Sequence, residues 1–262
     1  MRPEDTDACL PASNSEYQDA EYWNRRYSTE PYYEWLAGFQ ELHHLMEETL
    51  VRFGHQAKIL QLGCGNSDLA LHLHQAGFTE VTNIDISGVC VQNMRTKYPA
   101  LTFLEMDMTA MDFPDGSFDL VFEKSTLDSL LVSSPSPWDM SSSAHTLVTS
   151  GLREVKRVMQ PEGVFFSVTF CQPHHRVPLL TQEGLHWAVQ VDRVGDSSSL
   201  LEYCVMRMEE GGVEGAEEAR ARYGIGKGPC VEYVQDLSED EEDFINNLRI
   251  CSDDEDSNEG QH

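Results

Sequence analysis

From residue 58 onward, short apolar runs alternate with amphipathic stretches. Residues 58–63 (KILQLG) read as a short buried strand, and residues 67–77 (SDLALHLHQAG) as a helix ended by Gly77. A second strand over 80–87 (EVTNIDIS) precedes a second helix that stops before Pro99. Residues 101–107 (LTFLEMD) and 118–124 (FDLVFEK) give strands three and four. A helix over 144–159 leads through Pro161-Glu162-Gly163 into the apolar run 163–170, strand five. Strands alternating with helices at this rhythm predict a parallel sheet covered on both faces. Two later strand-like runs, 185–194 and 199–210, flank the turn-rich GDSSS and read as a hairpin. The fold class is therefore α/β: a Rossmann-like sheet, mostly parallel, with an antiparallel edge hairpin.

Outside this block the pattern changes. Residues 1–20 are acidic, have no apolar signal segment and read as disordered. Residues 22–35 are rich in aromatics, and 39–53 have helical apolar spacing. One domain is expected over 21–210. Residues 211–262 are expected to be a flexible linker and an acidic tail, with Phe244, Ile245 and Leu248 able to form one docking helical turn. In the tail, Ser238 and Ser252 precede acidic runs.

Net charge is −27, from 45 acidic and 18 basic side chains. A surface of that sign repels phosphates and favours a basic partner, so nucleic acid is not expected. No stretch approaches the roughly 18 apolar residues of a membrane helix. Seven scattered cysteines without a CxxC pair argue for reduced thiols, a cytoplasmic location and no zinc site. The adjacent pairs His43-His44 and His174-His175 cannot point together on regular elements, so no metal is expected.

The chemistry gathers at strand ends. Gly63-Cys64-Gly65 follows strand one and opens a helix, letting backbone approach a ligand beside free N–H groups. Asp68 stands where a dinucleotide fingerprint wants its third glycine, which disfavours NAD. Asp85 ends strand two, about twenty residues on, where a carboxylate accepts from ribose hydroxyls. Asp107 and Met108 end strand three, placed to read an adenine edge. Glycines, acid and acid at three successive strand ends predict an adenosine-type cofactor at the carboxyl edge of the sheet.

These motifs, together with 103–130 (including Glu123-Lys124-Ser125-Thr126-Leu127-Asp128) and EVKRVMQPEG, resemble the class I, seven-β-strand methyltransferases that modify lysines of translation elongation factor 1-alpha. The likeness runs from about Tyr22 to Glu210. The resemblance implies a seven-stranded methyltransferase sheet and the cofactor S-adenosyl-L-methionine. It also implies an enzyme whose partner is elongation factor 1-alpha; a monomer is expected. In the family's D/E-K-G-T-x-D pattern Ser125 replaces the glycine, and a serine there can cap the following helix. By resemblance Trp23, Tyr27 and Trp35 close over the cofactor, and Ile86 and Lys124 contact it alongside Gly63, Asp85, Asp107 and Met108. Glu123 is the candidate for orienting the incoming amine and taking its proton. The insert 133–143, with Trp138 as an anchor, is placed to shape the substrate site. Two other readings stay open: a methyltransferase acting on a small-molecule amine, and a non-catalytic cofactor-binding interaction module.

Overall fold

The apolar runs assemble into one sheet in a computed structural model of the chain, which describes residues 11–134, 140–194, 203–223, 231–233 and 248–250. A 3-10 turn, Asn14–Gln18, precedes α1 (Ala20–Thr29), α2 (Phe39–Phe53) and β1 (Ile59–Leu62). Then come α3 (Leu69–Gln75), β2 (Val81–Asp85), α4 (Gly88–Lys97), β3 (Thr102–Glu105) and β4 (Phe118–Lys124). They are followed by α5 (Thr126–Leu131), α6 (Ser142–Val158), β5 (Met159–Thr169), α7 (Pro173–Leu180), β6 (Trp187–Val194) and β7 (Tyr203–Glu210). α8 (Gly212–Tyr223), β8 (Val231–Tyr233) and β9 (Leu248–Ile250) complete the described elements.

Seven strands lie in the order β3-β2-β1-β4-β5-β7-β6. β3 to β5 are parallel, while β7 runs antiparallel to both β5 and β6. β1 is buried along its whole length because both faces of the sheet are covered. Side-chain alternation divides it: Leu60 and Leu62 join the cluster under α6, α7 and α8, and Ile59 joins the one under α2 and α3. In β4, Val121 goes to the first face, and Leu120 and Phe122 go to the second. The strand order reverses between β1 and β4, so a crevice opens at their carboxyl ends.

The seven-stranded fold and the hairpin are as the sequence predicts, with four departures. Residues 212–223 are a helix, not a linker. Ala216 and Ala219 of α8 are buried, Arg220 Nε donates to Thr181 Oγ1 at 2.9 Å, and Val191 N–H donates to Tyr223 Oη at 3.3 Å. The globular unit thus reaches Tyr223. At the other end, the 3-10 turn orders part of the expected disordered start; Gln18 Nε2 donates to Leu130 O at 2.7 Å and to Ser133 Oγ at 3.1 Å. α7 had no forecast because Pro173 and Pro178 mask its helical signal, although proline is tolerated in a first turn. Leu248 belongs to β9, which pairs with β8, and not to a helical turn. Trp138, Ser238, Phe244, Ile245 and Ser252 lie outside the described residues.

Candidate active site

The glycine loop after β1 requires its glycines. Gly63 and Gly65 have φ of 54° and 52°, in the left-handed region. A Cβ on Gly63 would lie 2.2 Å from Thr126 Oγ1, and one on Gly65 would lie 3.0 Å from Tyr27 Oη. Asp85, at the end of β2, locks this loop. Its Oδ2 accepts from Gly65 N–H and its Oδ1 from Ser87 N–H, both at 2.9 Å. Asp85 is buried, and that burial pushes its carboxyl up to about 6 against the pull of the two backbone donors. Ile86, next in sequence, is 40% exposed, so an apolar surface stands open beside a buried acid. Asp107 follows β3, exposed, with Oδ1 taking the N–H and hydroxyl of Thr109 at 2.8 Å each. Met108 beside it is buried.

α1 lies over this edge. Asn24 Oδ1 accepts from Ser87 Oγ at 2.7 Å, and Asn93 Nδ2 donates to Tyr27 O at 2.8 Å, fastening α1 to the start of α4. Trp23 and Tyr27 share a helix face and stack with centroids 5.5 Å apart; Trp35 meets Trp23 edge-on at 6.3 Å. Tyr27 is buried, and that burial, with Asp85 nearby, raises its phenol well above the ordinary value. The structure therefore brings Trp23, Tyr27 and Trp35 together above Gly65 and Asp85.

Sequence reasoning missed the fastening of residues 30–35 across the loop. Asn66 Nδ2 donates to Glu30 O at 2.9 Å, and Tyr33 N–H donates to Asn66 Oδ1 at 3.0 Å. Ser67 Oγ donates to Glu34 Oε2 at 2.9 Å. Lys124, at the end of β4, forms an ion pair with Glu34 and donates to Trp35 O at 2.7 Å. Burial lowers the Lys124 ammonium, with Glu34 opposing that shift. Arg26 was missed too. It is buried, paired with Glu30 at 3.0 Å, and its guanidinium lies 4.9 Å from the Trp35 ring and 5.1 Å from Tyr33. The signal was available in the polar pair after GxG and in an arginine set among aromatics.

The segment 123–128 departs from expectation. Ser125 takes φ of 61°, the conformation a glycine would adopt freely, and its side chain caps nothing. The cap is Glu123: Oε2 accepts from Thr126 N–H at 2.9 Å and Leu127 N–H at 3.2 Å, and Ser167 Oγ donates to Oε1. Glu123 is fully buried. Burial pushes its carboxyl up to about 7, with Asp128 adding to the rise and Arg176 opposing it. Both oxygens serve the fold, so Glu123 is placed to hold α5 against β5.

Cys64, Asp85 and Cys90 offer donor atoms within 4.8 Å of one another, a grouping hidden in sequence because the two thiols are not neighbours there. The hydrogen bond to Cys64, then burial, drives the Cys90 thiol far above its ordinary value. Asp85's oxygens accept from the loop backbone, and the two thiols pack beside it inside the site.

Residues 60–167 match the family model described as a methyltransferase domain. EEF1A lysine methyltransferase 4 of Mus musculus is 40% identical over 187 residues, 69% of this chain and 72% of that protein. The eEF1A lysine and N-terminal methyltransferase of Homo sapiens is 34% identical over 197 residues, 72% of this chain but 27% of that longer protein. In fold alone, the chain resembles geranyl diphosphate C-methyltransferase from Streptomyces coelicolor A3(2). That likeness has a TM-score of 0.51 at 13% identity, covering 76% of this chain and 100% of the other. With 40% identity to the mouse protein across most of both chains, this protein belongs to the methyltransferase family of EEF1A lysine methyltransferase 4.

Proposed function

We propose that this protein transfers a methyl group from S-adenosyl-L-methionine to a lysine side chain of translation elongation factor 1-alpha. The observation that carries the reading is the gathering of Gly63, Asp85 and Asp107 at the carboxyl edge of β1, β2 and β3. It occurs in a chain 40% identical to a protein named for that reaction. The proposal extends to a cytoplasmic monomer that binds neither nucleic acid nor membrane, in keeping with its net charge of −27. Among the described residues no helix is long and apolar enough to cross a membrane.

The residues present fit the cofactor. Asp85 uses one lone pair of each oxygen on the loop, which leaves acceptor capacity for ribose hydroxyls. Ile86, exposed after β2, offers an apolar seat for a base, and Asp107 and Met108 follow the neighbouring strand β3. Gly63 gives backbone access, and Trp23, Tyr27 and Trp35 form an aromatic wall suited to a cation. Lys124 is already neutralised by Glu34, so it does not oppose a positive sulfonium. When bound, the cofactor supplies an electrophilic methyl group whose transfer to nitrogen leaves a neutral thioether. The protein's own work is positioning. An acceptor lysine, ordinarily protonated up to about pH 10.4, sheds its proton more readily beside a cation and away from water.

The test is transfer of labelled methyl from the cofactor to elongation factor 1-alpha, with wild type beside Asp85→Ala. Label on a single lysine-containing peptide, absent with the variant, supports the reading. Tight cofactor binding with no label on this or any cytosolic protein overturns the protein-lysine reading in favour of a small-molecule amine.

A further inference from the structure

Segment 123–128 holds two acids beside the glycine loop: Thr126 Oγ1 donates to Leu62 O at 3.1 Å, which ties the start of α5 to the end of β1. In Glu123 both oxygens are engaged, by three intrachain donors. Asp128, one turn into α5, is different. Its Oδ1 accepts from Thr169 Oγ1 at 2.6 Å and from Arg176 Nη2, while its Oδ2 has no partner in the protein. The Asp128 side chain is 23% exposed, whereas the Arg176 side chain behind it is 0% exposed.

The neighbourhood is rich in acceptors that lack donors. Strands β4 and β5 pair at Lys124↔Val168, and Ser125 N–H donates to Val168 O at 2.9 Å, so the residues leaving both strands stand side by side. Ser125 Oγ and Gln172 Oε1, on those two exits, also have no partner. Arg176 retains unpaired Nε and Nη1 donors, but it is a fixed buried cation whose charge Asp128 balances. A buried carboxylate oxygen without a donor is costly. An alkylammonium group carries three donors and no acceptor, the complement of a carboxylate oxygen that lacks a donor.

We infer that Asp128 receives the amine of the substrate lysine, with Thr169 and Arg176 as positioning residues that fix its carboxylate. This rests on the lysine-methyltransferase reading above. Thr169 and Arg176 both hold Oδ1, which leaves the buried Oδ2 as the oxygen that lacks a donor. The role that sequence reasoning gave to Glu123 passes to the partly exposed acid of the same segment.

The test uses the full chain, unmethylated elongation factor 1-alpha made in bacteria, and calorimetric titration with S-adenosylhomocysteine. For Asp128→Asn, kcat/KM for the protein substrate is expected to fall about thirtyfold or more, while cofactor Kd stays within about twofold. Turnover within about twofold of wild type overturns the inference, as does a loss of cofactor affinity equal to the loss in kcat/KM. Thr169→Val keeps the Asp128–Arg176 pair and covers the case in which Asp128→Asn does not fold. It is expected to lower kcat/KM for the protein about three- to tenfold with cofactor Kd unchanged, and an unchanged kcat/KM overturns the inference. Wild-type enzyme that binds cofactor but labels no lysine defeats the reading on which this rests. Active wild type beside an equally active Asp128→Asn defeats this inference alone.

Discussion

Replacing Glu123 by Gln measures what burying that carboxyl costs. Folding moves it from 4.5 to about 7, mainly through burial. Between those values the folded chain holds a proton that the unfolded chain has released, so stability falls as pH rises through that window and is flat above it. At about 1.4 kcal/mol per pH decade, the interval corresponds to about 3 kcal/mol. Gln is uncharged throughout. Its carbonyl can accept from Thr126 and Leu127 N–H, and its amide can donate to Ser167 Oγ, so the cap of α5 survives. Glu123→Gln is therefore expected to match wild type near pH 5 and to exceed it by about 2–3 kcal/mol at pH 8. Urea unfolding at both pH values, with equal m-values, reads this difference directly. All other ionisable groups are common to both proteins and cancel. Equal stability at pH 8, or the same offset at pH 5 and pH 8, would refute the placement of a strained carboxyl at this cap.

Further outcomes follow from other residues. Asp85 titrates near 6 in the free protein, and hydroxyl donors bind best to its ionised form. Affinity for S-adenosylhomocysteine should therefore weaken below about pH 6, a trend that Asp85→Asn abolishes along with most of the binding; pH-independent wild-type affinity contradicts the assignment. Ser125→Gly relieves a left-handed serine with an unpartnered hydroxyl, offset by added freedom in the unfolded chain. A net gain of about 1 kcal/mol is expected, visible as a higher Tm; a lower Tm argues against the loop geometry. Truncation after Glu210 removes α8 with buried Ala216 and Ala219. It should cost about 2–3 kcal/mol, or a Tm lower by roughly 5–10 °C, whereas an unchanged Tm restores the linker reading.

The alternation of apolar runs and helices was enough to read the parallel sheet, because strands buried on both faces leave continuous apolar stretches such as residues 59–62. Gly63, Asp85 and Asp107 were legible for a related reason. Each sits just past a strand, and strand ends in a parallel sheet share one edge, so their place in space follows from their place in the chain. Other features depend on contacts between distant segments, which no local pattern records. Glu34 meets Lys124, Asp128 meets Arg176, and Cys64 meets Cys90 only after the strands have taken their order. α8 gave a weak signal because its two buried alanines are small and its glycines suggest a linker; packing against β6 and α7 makes it a helix. The same limit explains Glu123 and Asp128. Sequence placed two acids near the crevice, but which one keeps a free oxygen depends on the donors that Ser167, Thr169 and Arg176 bring from the neighbouring strand and helix.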